Sequence, residues 1–227
     1  MKHEKIISIM LNTMPDILHP LRRKLLLSLL KSHGSNIRGM WQALIDGYES
    51  IVIGNNFFAA EGLYLSSTKG ILIGNNVTFG PEVMLIGGNH KTDIPGLLIN
   101  QIHSGDKLDE IIIQDDVWVG ARAIILSGVT VGEGSIIGAG SIVTKNIPYY
   151  YICAGNPCKP IKPRFNNKAD LSMHLDKVKA GLSLDHILQQ YNELGLSIKD
   201  SNFDNYSNIP YSQSQAYHIQ IDSICFF

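Results

Sequence analysis

A mainly β fold, a parallel β-helix of three-sided coils, is what this sequence predicts, and three observations predict it. From Ile113 an aliphatic residue recurs at every sixth position: Val119, Ile125, Val131, Ile137, Val143. Four residues after each of these stands Val117, Ala123, Val129, Ser135, Ser141 or Ile147, all small or β-branched. Glycine contributes 21 of 227 residues and charged residues only 17%, against averages of about 7% and about 25%, which suits a chain making many tight corners. A period of six matches neither the 3.6 of a helix nor the 2 of a strand. It matches a short strand plus a corner, three of which make a coil that stacks on the next at a sheet spacing of about 4.8 Å.

The elements follow in order. Residues 1–36 read as an N-terminal helical segment. Glu4, Pro15, Asp16, Pro20 and the Arg22-Arg23-Lys24 cluster interrupt its apolar stretches before an 18-residue run develops, so it is read as neither a spanning helix nor a signal peptide. Leu21 and Leu25 to Leu30 beside that cluster fit an amphipathic helix that caps the core; contact with an anionic membrane surface is the alternative. Residues 37–165 form the β-helix. The six-residue phase appears there as Ile53, Ala59, Leu65 and as Ile73, Phe79, Leu85, predicting coils at 53–72, 73–90, 113–130 and 131–148 and a partial coil over 37–51. Residues 91–112 are then an extruded loop, long enough to imply a function.

After Pro148 the repeat stops, and Pro157, Pro160 and Pro163 argue against regular structure in the exit. Residues 166–227 form a C-terminal extension. It is helical over 170–195, where Leu171, Leu175, Val178, Leu182, Leu188 and Tyr191 are spaced for a helix broken near Gly181, and irregular beyond 200.

A net charge of −1 supplies no overall field to draw the chain onto nucleic acid. Cys153, Cys158 and Cys225 are odd in number and lack metal-ligand spacing, so they read as reduced thiols of a cytoplasmic protein, with no metal site.

Three motifs carry a resemblance: Gly87-Gly88-Asn89-His90 before the loop; Asp116-Val117-Trp118-Val119-Gly120; and Gly138-Ala139-Gly140-Ser141-Ile142-Val143-Thr144-Lys145 leading to Ala154-Gly155-Asn156-Pro157-Cys158-Lys159. In this order, across residues 50–165, the chain resembles the hexapeptide-repeat acyltransferases, in the branch of galactoside, maltose, nodulation-factor and O-antigen O-acetyltransferases. The resemblance implies a left-handed β-helix, acetyl-CoA as co-substrate, a saccharide acceptor and a homotrimer. It implies His90 as catalytic base, Trp118 beside the active site, and Ala121, Ala139, Thr144, Lys145, Lys159 and Lys162 as CoA-binding positions.

Acetyl transfer to a hydroxyl needs a base and an oxyanion donor, and an imidazole titrates in the right range. His103, inside the loop, is a less rigid mount for a base; Asp93 and Glu110 are candidates to orient His90. Ala60, followed by Glu61, stands where the galactoside branch has an acceptor-positioning Asn, so the acceptor is held differently here. N-acetylation of an amino sugar or antibiotic, or a non-catalytic β-helix scaffold, remain open alternatives. A zinc-dependent anhydrase would need several coil histidines, and the predicted coils hold only His90.

Overall fold

The computed structural model describes residue 11, residues 13–102 and residues 110–200, which fall into two compact units divided between Lys162 and Pro163. In the first, a helix α1 (His19–Leu29) is followed by strands in groups of three. The first coil holds β1 (Ser32–His33), β2 (Arg38–Gly39) and β3 (Leu44–Asp46); the second holds β4 (Ile51–Ile53), β5 (Phe58–Ala59) and β6 (Tyr64–Ser66). The third holds β7 (Ile71–Ile73), β8 (Thr78–Phe79) and β9 (Met84–Ile86), and the fourth β10 (Ile111–Ile113), β11 (Trp118–Val119) and β12 (Ile124–Leu126). The fifth holds β13 (Thr130–Val131), β14 (Ile136–Ile137) and β15 (Ile142–Val143), after which come β16 (Tyr151–Ala154) and β17 (Lys159–Pro163).

Strands of successive coils pair in parallel and build three faces. The first face runs β1-β4-β7-β10-β13, the second β17-β16-β14-β11-β8-β5-β2 and the third β15-β12-β9-β6-β3, and the coils wind left-handed. Because side chains alternate along each strand, the six-residue set points inward and is buried to the last member: Ile53, Ala59, Leu65, Ile73, Phe79, Leu85, Ile113, Val119, Ile125, Val131, Ile137 and Val143. Volumes complement between layers, for Phe79 stacks over the small Ala59 and meets Phe57 edge-on with ring centroids 5.2 Å apart. The loop leaves after β9, and its return strand β10 pairs with β7 in register, Ile71 against Ile111. The insertion therefore leaves the stack uninterrupted.

Two expectations are corrected. The partial coil over 37–51 is a complete coil beginning at Ser32, whose strands pair with the next coil at Ser32 and Val52, Arg38 and Phe58, Leu44 and Tyr64. The earliest strands lack the strict six-residue signature, so their phase shows only through pairing; the added coil also makes His33 a second histidine of the β-helix, two coils from His90. Regular structure also continues past Pro148: β16 pairs with β14 and β17 lies outermost on the second face. An edge strand can carry proline because its outward N–H groups have no ladder partner to lose, which is how Pro160 and Pro163 are tolerated in β17.

At the first end of the stack α1 buries His19, Arg22 and Leu26. The His19 ring stacks on Trp41 with centroids 3.5 Å apart, and Arg22 donates to the Ala43 carbonyl at 3.4 Å.

The second unit contains α2 (Lys168–Val178) and α3 (Leu184–Glu193). Each starts at a side-chain cap: Asn167 accepts from the Asp170 N–H, and Ser183 accepts from the His186 N–H. Leu171, Leu175, Ile187 and Tyr191 are buried.

Candidate active site

Each coil passes from the second face to the third through a three-residue corner: Ala60-Glu61-Gly62, Gly80-Pro81-Glu82, Gly120-Ala121-Arg122, Gly138-Ala139-Gly140. The third position takes left-handed backbone, with φ of 74°, 55°, 58° and 68°. In the later coils the first is crowded by the coil above: a Cβ on Gly120 would lie 2.6 Å from the Ala139 backbone nitrogen, so glycine is required there, whereas the second coil accepts Ala60. The corner register thus brings Ala121 and Ala139, both half-buried, into one line along this edge. Trp118 lies just before it on the second face, half-buried between Thr78 and Ile136 of the flanking strands.

The same edge carries a pair that sequence reading missed. The Arg122 guanidinium donates to the Glu82 carboxylate at 2.6 Å; this hydrogen bond, reinforced by the opposite charge, holds the Glu82 carboxyl below its ordinary range and raises the Arg122 guanidinium. The available signal was that both residues take the third corner position of neighbouring coils, which shows only once the loop has been excised from the count.

Thr144 and Lys145 are exposed just beyond β15. The Cys158 N–H donates to the Ile142 carbonyl at 2.8 Å, which sets Lys159, exposed at the start of β17, beside that strand; Lys162 is exposed further along β17. Ser141, fully buried, donates to the Gly138 carbonyl at 2.6 Å and accepts from the Gly155 N–H at 3.1 Å, joining the fifth coil to the exit. Burial pushes the Cys158 thiol up to about 11 and the Cys153 thiol higher still, so neither is poised as a nucleophile.

His90 occupies the opposite edge of the third face, where the chain turns from β9 toward the loop. Gly87 anchors this corner by donating to the Ser66 carbonyl at 2.7 Å, and the Asn89 side chain accepts the His90 backbone N–H at 2.8 Å. The His90 side chain is exposed. Neither carboxylate expected to orient it does so: Asp93 faces Lys91 at 3.9 Å, and the Glu110 carboxylate lies against Gly70, where a Cβ would meet it at 2.9 Å. His103 lies outside the described residues.

About five residues separate the two edges of the third face, on the order of 15 Å at strand rise. One chain therefore gathers Trp118, Ala121 and Ala139 at one edge and Thr144, Lys145, Lys159 and Lys162 on the final coil, and holds His90 apart from the first group. The described region of the loop presents Leu97, Leu98 and Ile99 to solvent at 50–67% exposure.

Comparison with known proteins sets this geometry in context. Residues 110–145 match the family model described as bacterial transferase hexapeptide (six repeats). The chain is similar to the maltose O-acetyltransferase of Clostridium difficile 630, at 33% identity and a TM-score of 0.65 over 71% of this chain and 84% of that one. It is also similar to a galactoside acetyltransferase solved in complex with coenzyme A, at 27% identity and a TM-score of 0.63 over 72% of this chain and 80% of that one. In sequence it is 38% identical to the galactoside O-acetyltransferase of Escherichia coli K12 over 50% of this chain and 54% of that protein. The chain spans about half the length of the curated relatives it matches.

Proposed function

Because the chain belongs to the hexapeptide-repeat acetyltransferase family, we propose that it is an acyltransferase that moves an acetyl group from acetyl-CoA to a hydroxyl of a saccharide, with His90 as general base. The observation that carries the reading is the exposed imidazole of His90 on a corner fixed by Gly87 and Asn89, at the point where the loop departs. The CoA-bound and sugar-named relatives support the co-substrate and the acceptor class.

On this reading neutral His90 accepts the hydroxyl proton as the sugar oxygen attacks the thioester carbonyl. Backbone N–H groups stabilise the oxyanion, the C–S bond breaks, and the imidazolium returns its proton to the departing CoA thiolate. The pantetheine arm lies along the Ala121–Ala139 edge beside Trp118, while Thr144, Lys145, Lys159 and Lys162 meet the phosphates; ammonium groups act there as point charges. The catalytic region is the β-helix to residue 165, its first coil beginning at Ser32, with the helical segment before it and 166–227 as appendages.

The separation of His90 from the Ala121–Ala139 edge supports a homotrimer in which His90 of one subunit faces the CoA edge of the next. Such an interface would also cover Leu97, Leu98 and Ile99. Acetyl-CoA as substrate and the unreactive thiols fit a cytoplasmic protein.

The test is incubation of the protein with radiolabelled acetyl-CoA and a panel of glycans. His90→Ala is expected to lower kcat by about 100-fold or more with CoA affinity unchanged. Near wild-type turnover in the variant would remove His90 from the mechanism.

A further inference from the structure

Between Asp16 and Asp46 the chain contains no acidic residue but carries Arg22, Arg23, Lys24, Lys31 and Arg38, in a protein whose net charge is −1. Helix α1 lies within this stretch. One face of it, His19, Arg22 and Leu26, is buried. A second face remains open: Leu18, Leu21, Leu25 and Leu29, spaced by three, four and four residues and so on one side of the helix, are 38–49% exposed, and the preceding Ile17 is 87% exposed. On the side of α1 turned away from these leucines, Pro20, Arg23, Lys24, Leu27 and Ser28 border a groove of roughly 540 Å³ against His33, Ser35 and Asn36 of the first coil, with no carboxylate in its lining.

We propose that α1 is an interfacial anchor that lays its leucine face into an anionic phospholipid surface, with Lys24, which flanks that face, meeting the headgroup phosphates. Eleven residues make a helix of about 16 Å, far short of the ~30 Å hydrocarbon core, so α1 lies on a bilayer and does not cross it. Charge complementarity selects the occupant. A bilayer with negative headgroups accepts the leucines and attracts the acid-free stretch at once, whereas a second copy of this chain would set like charge against like.

The test is flotation of the full chain with vesicles of phosphatidylcholine alone or mixed with phosphatidylglycerol, with thermal unfolding, acetyl-CoA binding and light scattering recorded alongside. The wild-type chain is expected to float with the mixed vesicles only, and less as salt is raised. Leu21→Glu with Leu25→Glu should abolish flotation while leaving unfolding and acetyl-CoA binding unchanged. Lys24→Gln, at an exposed side chain, should weaken partitioning about five-fold; it also decides the matter should the leucine variant fail to fold.

A wild-type chain that stays down with mixed vesicles, or floats equally with neutral ones, overturns the proposal. So does a leucine variant that floats normally but dissociates in light scattering, since the leucines would then be a subunit contact. Flotation uses no acceptor and no turnover, so its failure leaves the acetyl-transfer reading untouched.

Discussion

Glu133 shows how a single residue in this fold couples to pH. Its carboxylate accepts the Tyr150 hydroxyl at 2.8 Å, yet its pKa is raised: loss of water around it outweighs the lowering by the Tyr150 hydrogen bond, and the negative charges of Asp115 and Asp116 add smaller increments upward. A folded carboxyl with a raised pKa binds protons more tightly than in the unfolded chain. Its contribution is therefore most favourable below the ordinary carboxylate pKa, falls as pH climbs through the raised value, and is flat beyond. Glu133→Gln retains an acceptor for Tyr150 and removes the titration. The variant is expected to match wild type in Tm near pH 4 and to exceed it near pH 7, read from melts across that range; parallel pH profiles would assign the dependence to other groups. Residues of this kind were not legible in the sequence, because Glu133 meets Tyr150 only through coil stacking. His90 was legible as a motif, but that neither Asp93 nor Glu110 orients it was not, since Asp93 faces Lys91 and Glu110 lies against Gly70.

The corners between the first and second faces form an element of their own, built from side chains stacked coil upon coil. The Asn36 and Asn56 amides donate to Asn56 and Asn76 at 3.0 and 2.9 Å, while Asn55 donates to Asn75 and Asn75 to Asp115 at 3.0 and 3.1 Å. Asn36, Asn56, Asn76 and Asp116 all have φ of 56–58°, a region that Asn and Asp tolerate and β-carbon residues otherwise avoid. Asn76→Gly loses the side-chain bond; Asn76→Ala loses it and meets the left-handed penalty as well. The alanine variant is expected to be about 1 kcal/mol less stable than the glycine variant in urea unfolding. Equal stabilities would mean that the amide stack alone fixes the corner. The Asn-Asn and Asp-Asp pairs are visible in sequence, yet the strict six-residue count draws the eye to the aliphatic positions instead. That count located the inward face of every coil from Ile53 to Val143, because stacking aliphatics impose it. It missed β1, gave β2 and β3 only as a partial coil, and missed β16 and β17, where position toward the ends of the stack relaxes what the pattern demands and even proline can enter.

At the scale of the molecule, the proposed reading sets His90 and the CoA positions Ala121 and Ala139 on the two edges of the third face, which a single chain would not bring together in one reaction. His90 stands where the third face turns to the first; Ala121 and Ala139 stand where the second turns to the third. A thioester carbonyl must come within bonding distance of a hydroxyl that His90 can reach, and on the order of 15 Å of sheet intervenes. Three-fold closure would resolve this by setting the His90 edge of each subunit against the Ala139 edge of its neighbour, giving three identical sites. The arrangement predicts complementation. His90→Ala abolishes the base, and Ala139→Glu places a carboxylate against the proposed pantetheine path; each homotrimer should be nearly inactive. When the two variants are unfolded together and refolded at equal concentration, a site is intact only where an unaltered His90 faces an unaltered Ala139. Each condition is met half the time, so activity should return to roughly a quarter of wild type. Subunits that each carried a complete site would give no recovery at any mixing ratio. Recovery near a quarter, lost when the refolded trimers are diluted below their dissociation range, would show both that the site is shared and that catalysis depends on assembly.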